Sequence, residues 1–264
     1  MRYGGSQIVR CRICKMRRNC MQGKFVGVKE KADVFSIEIR FIAESGKATL
    51  RATALGLYFA EINGLRAGDA YLTPGWTSYN KMLQVQEYDV TSLIKDGENV
   101  IKFTVANGWY CGRLTYLDKK QFYGTQSAVC ADLLLLNGTI STDESWESKE
   151  SFIRGSGIYD EEIQDDTVSL KPLTACEVKF DKSVLVEQIC EPVRNVERIA
   201  VMELIRTPAG EPVYDFGQNL AGVVVFTTPG DFDGTLKLQF AEILLMLTAR
   251  LWNLFIGGSR GSNA

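Results

Sequence analysis

The sequence predicts an all-β protein, a jelly-roll-like sandwich followed by an incomplete second β-sandwich. Three observations carry this. Apolar and polar residues alternate with period two in several runs after Phe35. Asn-Gly and Asp-Gly pairs recur between those runs, at 63–64, 96–97, 107–108 and 137–138. No long stretch with the 3.6-residue period of an amphipathic helix occurs before residue 240.

Residues 1–34 form a basic leader, expected to be poorly ordered. It carries "CRICKMRRNC", a CxxC pair with a third Cys. A zinc site needs four ligands, and the chain has no histidine to complete one. The leader lacks the uninterrupted apolar core of a signal peptide. From Phe35, "DVFSIEIRFI" reads as a strand. "KATLRATALGLYFAEING" reads as two more, with Leu57, Phe59 and Ile62 expected on the core face and Asn63-Gly64 as a tight turn. "MLQVQEYDVTSLI" places Leu83, Val85 and Glu87 on one face and Gln84, Gln86 and Tyr88 on the other. "VIKFTVANGW" and "SAVCADLLLLNGTI" follow as strands. Residues 141–170 are polar and acidic, expected as extended loops with short strands.

The first sandwich is assigned to residues 35–175, a partial second one to 176–245 and a divergent tail to 246–264. "VYDFGQNLAGVVVFTT" is expected to hold two β runs around "GQNLAG". That loop lacks the GKS/T ending of a phosphate-binding loop and is read as structural. The tail segment "ILLMLTARLWNLFIGG" is interrupted by Arg250 and Asn253, too short a run to span a membrane.

Composition narrows the chemistry. The 264 residues are 45% hydrophobic and 23% charged with a net charge of −2, which gives no reason to seek nucleic acid or an anionic membrane. With no histidine, Ser-His-Asp triads, Cys-His pairs and HExxH zinc sites are excluded. Seven scattered cysteines do not form a disulfide framework, so reduced thiols in a cytoplasm are expected.

The ordered series "ALGLYFAEING", "GDAYLTPGWTSYNKMLQVQEYDVTSL", "GENVI" and "ANGWYCGRL" resembles the N-terminal β-domain of bacterial α-L-rhamnosidases. "IYDEE", "VYDFGQNLAGVVVF" and "LQFAEIL" extend the likeness to roughly residues 35–245, with Glu161 where the family usually has Gly. The resemblance implies a parent activity of releasing terminal L-rhamnose from glycosides by water attack with inversion. It places the catalytic carboxylates in a helical domain beyond the matched region. Likeness stops after Leu244, so a truncated, frame-shifted product is expected, inactive alone and prone to aggregate through an exposed strand edge.

No catalytic residue is therefore assigned. Asp160, Asp215 and Glu242 lie in family-like motifs, but each reads as structural. The expected site is a sugar contact built from Trp76 and Tyr79 on one loop and Asn107, Trp109 and Tyr110 on another. Burying ~100 Å² of aromatic surface would supply ~2.5 kcal/mol. With one or two hydrogen bonds, and after the cost of association, affinity would be roughly millimolar. No cofactor is required. Calcium is the one candidate, through Asp69, Asn107 and backbone carbonyls. The alternative readings are a free-standing carbohydrate-binding module, and a structural fragment whose loops serve corner packing or domain docking.

Overall fold

The structure, a computed structural model, describes residues 21–114, 119–160, 162–208 and 210–227. Residues 1–20 of the basic leader, Glu161, Glu242 and the tail lie outside the described residues. The strands, in chain order, are β1 (Val26–Val28), β2 (Val34–Ala43), β3 (Thr49–Leu55), β4 (Leu57–Ile62), β5 (Leu65–Arg66), β6 (Leu83–Asp89), β7 (Gly97–Ala106), β8 (Arg113–Leu114), β9 (Lys119–Lys120), β10 (Ala128–Leu135), β11 (Gly138–Ser141), β12 (Glu147–Glu150), β13 (Ile153–Gly155), β14 (Ile163–Gln164), β15 (Pro172–Leu173), β16 (Ala175–Glu177), β17 (Leu185–Glu187), β18 (Glu203–Arg206) and β19 (Pro212–Asp215). One four-residue helix, α1 (Gly108–Cys111), follows β7. Among the described residues no helix is long and apolar enough to cross a membrane.

Two sheets face each other. One has the order β15-β12-β2-β7-β4-β5. The other runs β16-β1-β10-β3-β6-β17, with β11 also paired to β10. Neighbours are antiparallel except β17, which runs parallel to β6. Between the sheets lie Phe35, Ile37, Leu50, Ile62, Ile101, Phe103, Leu133 and Trp146, all buried. A sandwich core of this kind is held by apolar burial at roughly 25 cal/mol per Å².

A second apolar cluster covers the outer face of the β16–β17 sheet. It joins Leu55, Leu83, Val85, Ala128, Cys130 and Leu185 from the strands to Phe25, Tyr79 and Tyr110. Its cover includes residues 178–184, which cross from β16 at one edge of the sheet to β17 at the other, with Val178, Phe180 and Val184 packed inward. Residues 176–187, placed in the second unit by sequence, are thus part of the first sandwich, through the β16–β1 and β17–β6 pairings.

Local rules explain most turns. Asn63 (φ 54°) and Gly64 (φ 80°) form the left-handed pair between β4 and β5. The Asn63 amide also donates to Leu93 O and Asn99 Oδ1, while its own oxygen accepts from Val100 N. On β4 the core face carries Tyr58, Ala60 and Ile62 rather than Leu57 and Phe59, which are half-buried. Strand side chains repeat every second residue, so positions 57 and 59 cannot share a face with 62. On β6 the alternation stands, and both faces of Leu83–Gln86 are buried.

Beyond Glu187 the described chain is sparse in strands. β18 and β19 form a hairpin, closed by Glu211 N donating to Thr207 Oγ1 and Thr207 N donating to Glu211 O. The two runs expected around "GQNLAG" reduce to β19 alone; residues 216–227 form no strand. Val196, Met202, Val223 and Val225 are 76–92% exposed.

Candidate functional site

The loop after β5 is fixed before any ligand is considered. Thr73 is tied to Tyr58 on β4 by two bonds, Tyr58 N to Thr73 O and Thr73 Oγ1 to Tyr58 O, at 3.0 and 2.7 Å. The Thr73–Pro74 peptide is cis. Pro74 O accepts from two buried amides, Gln84 Nε2 at 3.3 Å and Gln86 Nε2 at 3.4 Å. Gly75 O accepts from the Tyr79 hydroxyl at 2.9 Å. Buried polar groups with their bonds made hold a single geometry. Trp76 follows from this clamp directly, and 47% of it is exposed.

The facing loop starts at the end of β7. Asn107 takes a helical conformation and donates from its side chain to Asp33 Oδ1 at 3.0 Å, while its backbone N–H donates to Asp33 O. Gly108 has φ 51°, and a Cβ there would fall 2.6 Å from Leu57 Cγ. Only glycine fits this approach. The chain then coils once through α1 and presents Trp109 to Trp76.

The two indoles stack, with centroids 6.1 Å apart and planes inclined by 11°. That separation at near-parallel planes is an offset stack. Trp109 is half-buried and backs Trp76, leaving indole surface of Trp76 open to solvent. Trp76 Nε1 also donates to the Tyr123 hydroxyl at 3.5 Å.

The remaining expected residues are elsewhere in function. Tyr79 is fully buried and meets Tyr110 edge-on at 5.5 Å and Tyr123 at 4.9 Å. Tyr110 is 8% exposed. Burial pushes the phenols of both above the ordinary tyrosine range. They are core residues of the outer cluster, and the aromatic pattern alone could not separate them from Trp76. Asn107 has its amide committed to Asp33. Sequence reasoning missed Tyr123, which joins the cluster from the segment after β9, and the exposed Phe122, whose ring meets Tyr123 edge-on; "QFYG" at 121–124 was the available signal.

The candidate acids have local partners. Asp160 pairs with the Arg113 guanidinium at 2.8 Å. Asp215 accepts from Gly217 N at 2.7 Å, an Asx-turn. A calcium ion does not fit the residues nominated for it. Asp69 is engaged by Arg194 Nε at 2.9 Å, a cation where a cation site needs oxygens, and Asn107 is held by Asp33. Among the described residues no three Cys, Asp or Glu side chains gather to hold a metal. The four described cysteines, Cys111, Cys130, Cys176 and Cys190, are free thiols.

Comparison with known proteins gives consistent matches. The model of the α-L-rhamnosidase N-terminal domain matches residues 43–198. That of the bacterial α-L-rhamnosidase concanavalin-like domain matches residues 205–251. An α-L-rhamnosidase of Streptomyces avermitilis is 33% identical over 217 residues, which is 75% of this chain and 21% of that protein. The native α-L-rhamnosidase of Aspergillus terreus matches in structure with a TM-score of 0.69 at 32% identity, covering 75% of this chain and 26% of the other. The Streptomyces avermitilis α-L-rhamnosidase complexed with L-rhamnose matches with a TM-score of 0.71 at 28% identity, covering 86% and 23%. The chain spans about a fifth to a quarter of the length of the relatives it matches.

Proposed function

This chain belongs to the bacterial α-L-rhamnosidase family through its N-terminal domain, and on that premise we propose that it is a non-catalytic platform of such a glycoside hydrolase. The parent activity is hydrolysis of terminal α-L-rhamnosides. The role of these residues is to support the catalytic part and to make a weak sugar contact at Trp76.

The carrying observation is the Trp76–Trp109 stack, an indole held by a rigid loop with surface left open. An aromatic face is electron-rich, and the C–H face of a pyranose is its complement. The Streptomyces avermitilis relative complexed with L-rhamnose supports a rhamnose-class ligand. The scaffolding role is supported by exposed apolar side chains along residues 196–226, a surface suited to a neighbouring domain. Asp160 and Asp215, consumed by Arg113 and Gly217 N–H, support leaving bond cleavage to residues outside this region. Free thiols at all four described cysteines support a reducing, cytoplasmic setting.

The test is an NMR titration of the chain with methyl α-L-rhamnoside. Roughly millimolar binding is expected, with shifts centred on the Trp76 and Trp109 indole signals and lost in Trp76→Ala. Added calcium should change nothing. No shift at high sugar concentration removes the sugar contact. Sustained turnover of a chromogenic rhamnoside by the purified chain, abolished by Asp160→Asn, overturns the non-catalytic reading.

A further inference from the structure

We infer that the sugar contact extends past Trp76 to Phe122, giving a site that reads two consecutive rings of an oligosaccharide rather than one terminal sugar. The inference rests on the Trp76 reading and adds a second position to it.

Phe122 is 60% exposed, and one face of its surroundings is the Tyr123 ring. Its ring meets Tyr123 edge-on, with centroids 4.9 Å apart and planes at 86°. Tyr123 in turn is wedged against buried Tyr79 at 4.9 Å, again edge-on. Its hydroxyl receives the Trp76 Nε1 proton. Tyr123 is therefore a spacer anchored in the core, with Trp76 at its hydroxyl end and Phe122 against its ring. Trp76 and Phe122 are thus two exposed aromatic side chains that contact the same tyrosine, one at its hydroxyl and one at its ring.

The local backbone holds Phe122 out. Gln121 has φ 57° and donates its N–H to Cys111 O, pinning this segment to the end of α1. Gly124 lies so close to the Tyr110 ring that a Cβ would sit 2.2 Å from it. Residues 121 and 124 are thus fixed on the same helix that carries Trp109, and Phe122 projects between them. Phe122 thus keeps one ring contact, with Tyr123, and offers the rest of its surface, across that tyrosine from the exposed Trp76, to a ligand.

The test compares methyl α-L-rhamnoside with a linear α-linked rhamno-trisaccharide by titration of the same chain. The trisaccharide should bind about tenfold tighter, the gain of one further aromatic contact. Phe122→Ala should remove that gain and leave the monosaccharide affinity unchanged. Phe122→Trp should keep it. If the trisaccharide binds no tighter while the monosaccharide still depends on Trp76, the two-ring site is wrong and the Trp76 contact stands. If neither sugar binds, both fail.

Discussion

The Asp132 carboxylate accepts the backbone N–H of Gly23 at 2.8 Å across 109 residues of sequence. Its other oxygen accepts Gln22 N at 2.8 Å, and the Ser141 hydroxyl donates to Oδ1 at 2.6 Å. From the opposite side the Lys182 ammonium donates to the carbonyls of Met21 and Gly23. The segment before β1 is therefore held by its amides and by its carbonyls. Gly23 itself admits no side chain, because a Cβ would fall 2.4 Å from Ala131 O.

Replacing Asp132 with Ala should cost about 2–4 kcal/mol, since the carboxylate is 3% exposed and leaves three donors unpaired. Urea denaturation measures it. A loss below about 0.5 kcal/mol would mean the segment before β1 is not anchored there.

Gln84 joins two parts of the chain. Its amide donates to Pro74 O, and its oxygen accepts from Ile189 N at 2.9 Å and Cys190 N at 3.2 Å. Gln84→Ala should destabilise by about 1–3 kcal/mol and release the segment that follows β17. Limited trypsin digestion followed by mass spectrometry should show faster cleavage after Arg194. Unchanged cleavage would place the restraint elsewhere, at the Tyr71–Val193 bridge or the Arg194–Asp69 pair.

Alkaline pH should weaken the fold. Burial pushes the thiols of Cys111 and Cys130 up to about 12, against ~8.5 in an unfolded chain. Because the folded values are raised, this stability is complete below pH ~8.5 and is lost as pH rises towards about 12. Burial, and then the neighbouring Tyr88, raises the Tyr58 phenol too, which extends the loss upward. The urea midpoint should fall between pH 8 and pH 10.5, and the Cys111→Ala/Cys130→Ala double variant should show a shallower fall. Equal slopes would contradict the assignment.

Exposed apolar residues after Glu187 should drive association. Val223→Asp with Val225→Asp should raise the monodisperse fraction in light scattering, as should a chain ended at residue 200. A parent chain that is already monodisperse at high concentration would refute this.

Much of the first sandwich was legible because its signals are local. Asn63-Gly64 and Gly97 specify left-handed backbone by their own chemistry. The alternation in β6 fixed its two faces. What was not legible depends on distant partners. Nothing in Ala175–Glu187 says that it pairs with β1 and β6 at opposite edges. The glutamines of β6 reveal their role only beside Pro74 O. Trp76, Tyr79 and Tyr110 carry similar local signals, and only packing decides that one is open and two are closed.

The strap at 178–184 has a consequence for synthesis. A nascent polypeptide leaves part of the face around Phe25 and Leu83 open until the last tenth of the sandwich has left the ribosome, because Val178, Phe180 and Val184 are made near its end. The face then closes late, by a clasp drawn from edge to edge, and any version of this sandwich stopped near residue 175 would be born with that side only half covered, by the Tyr79 and Tyr110 loops.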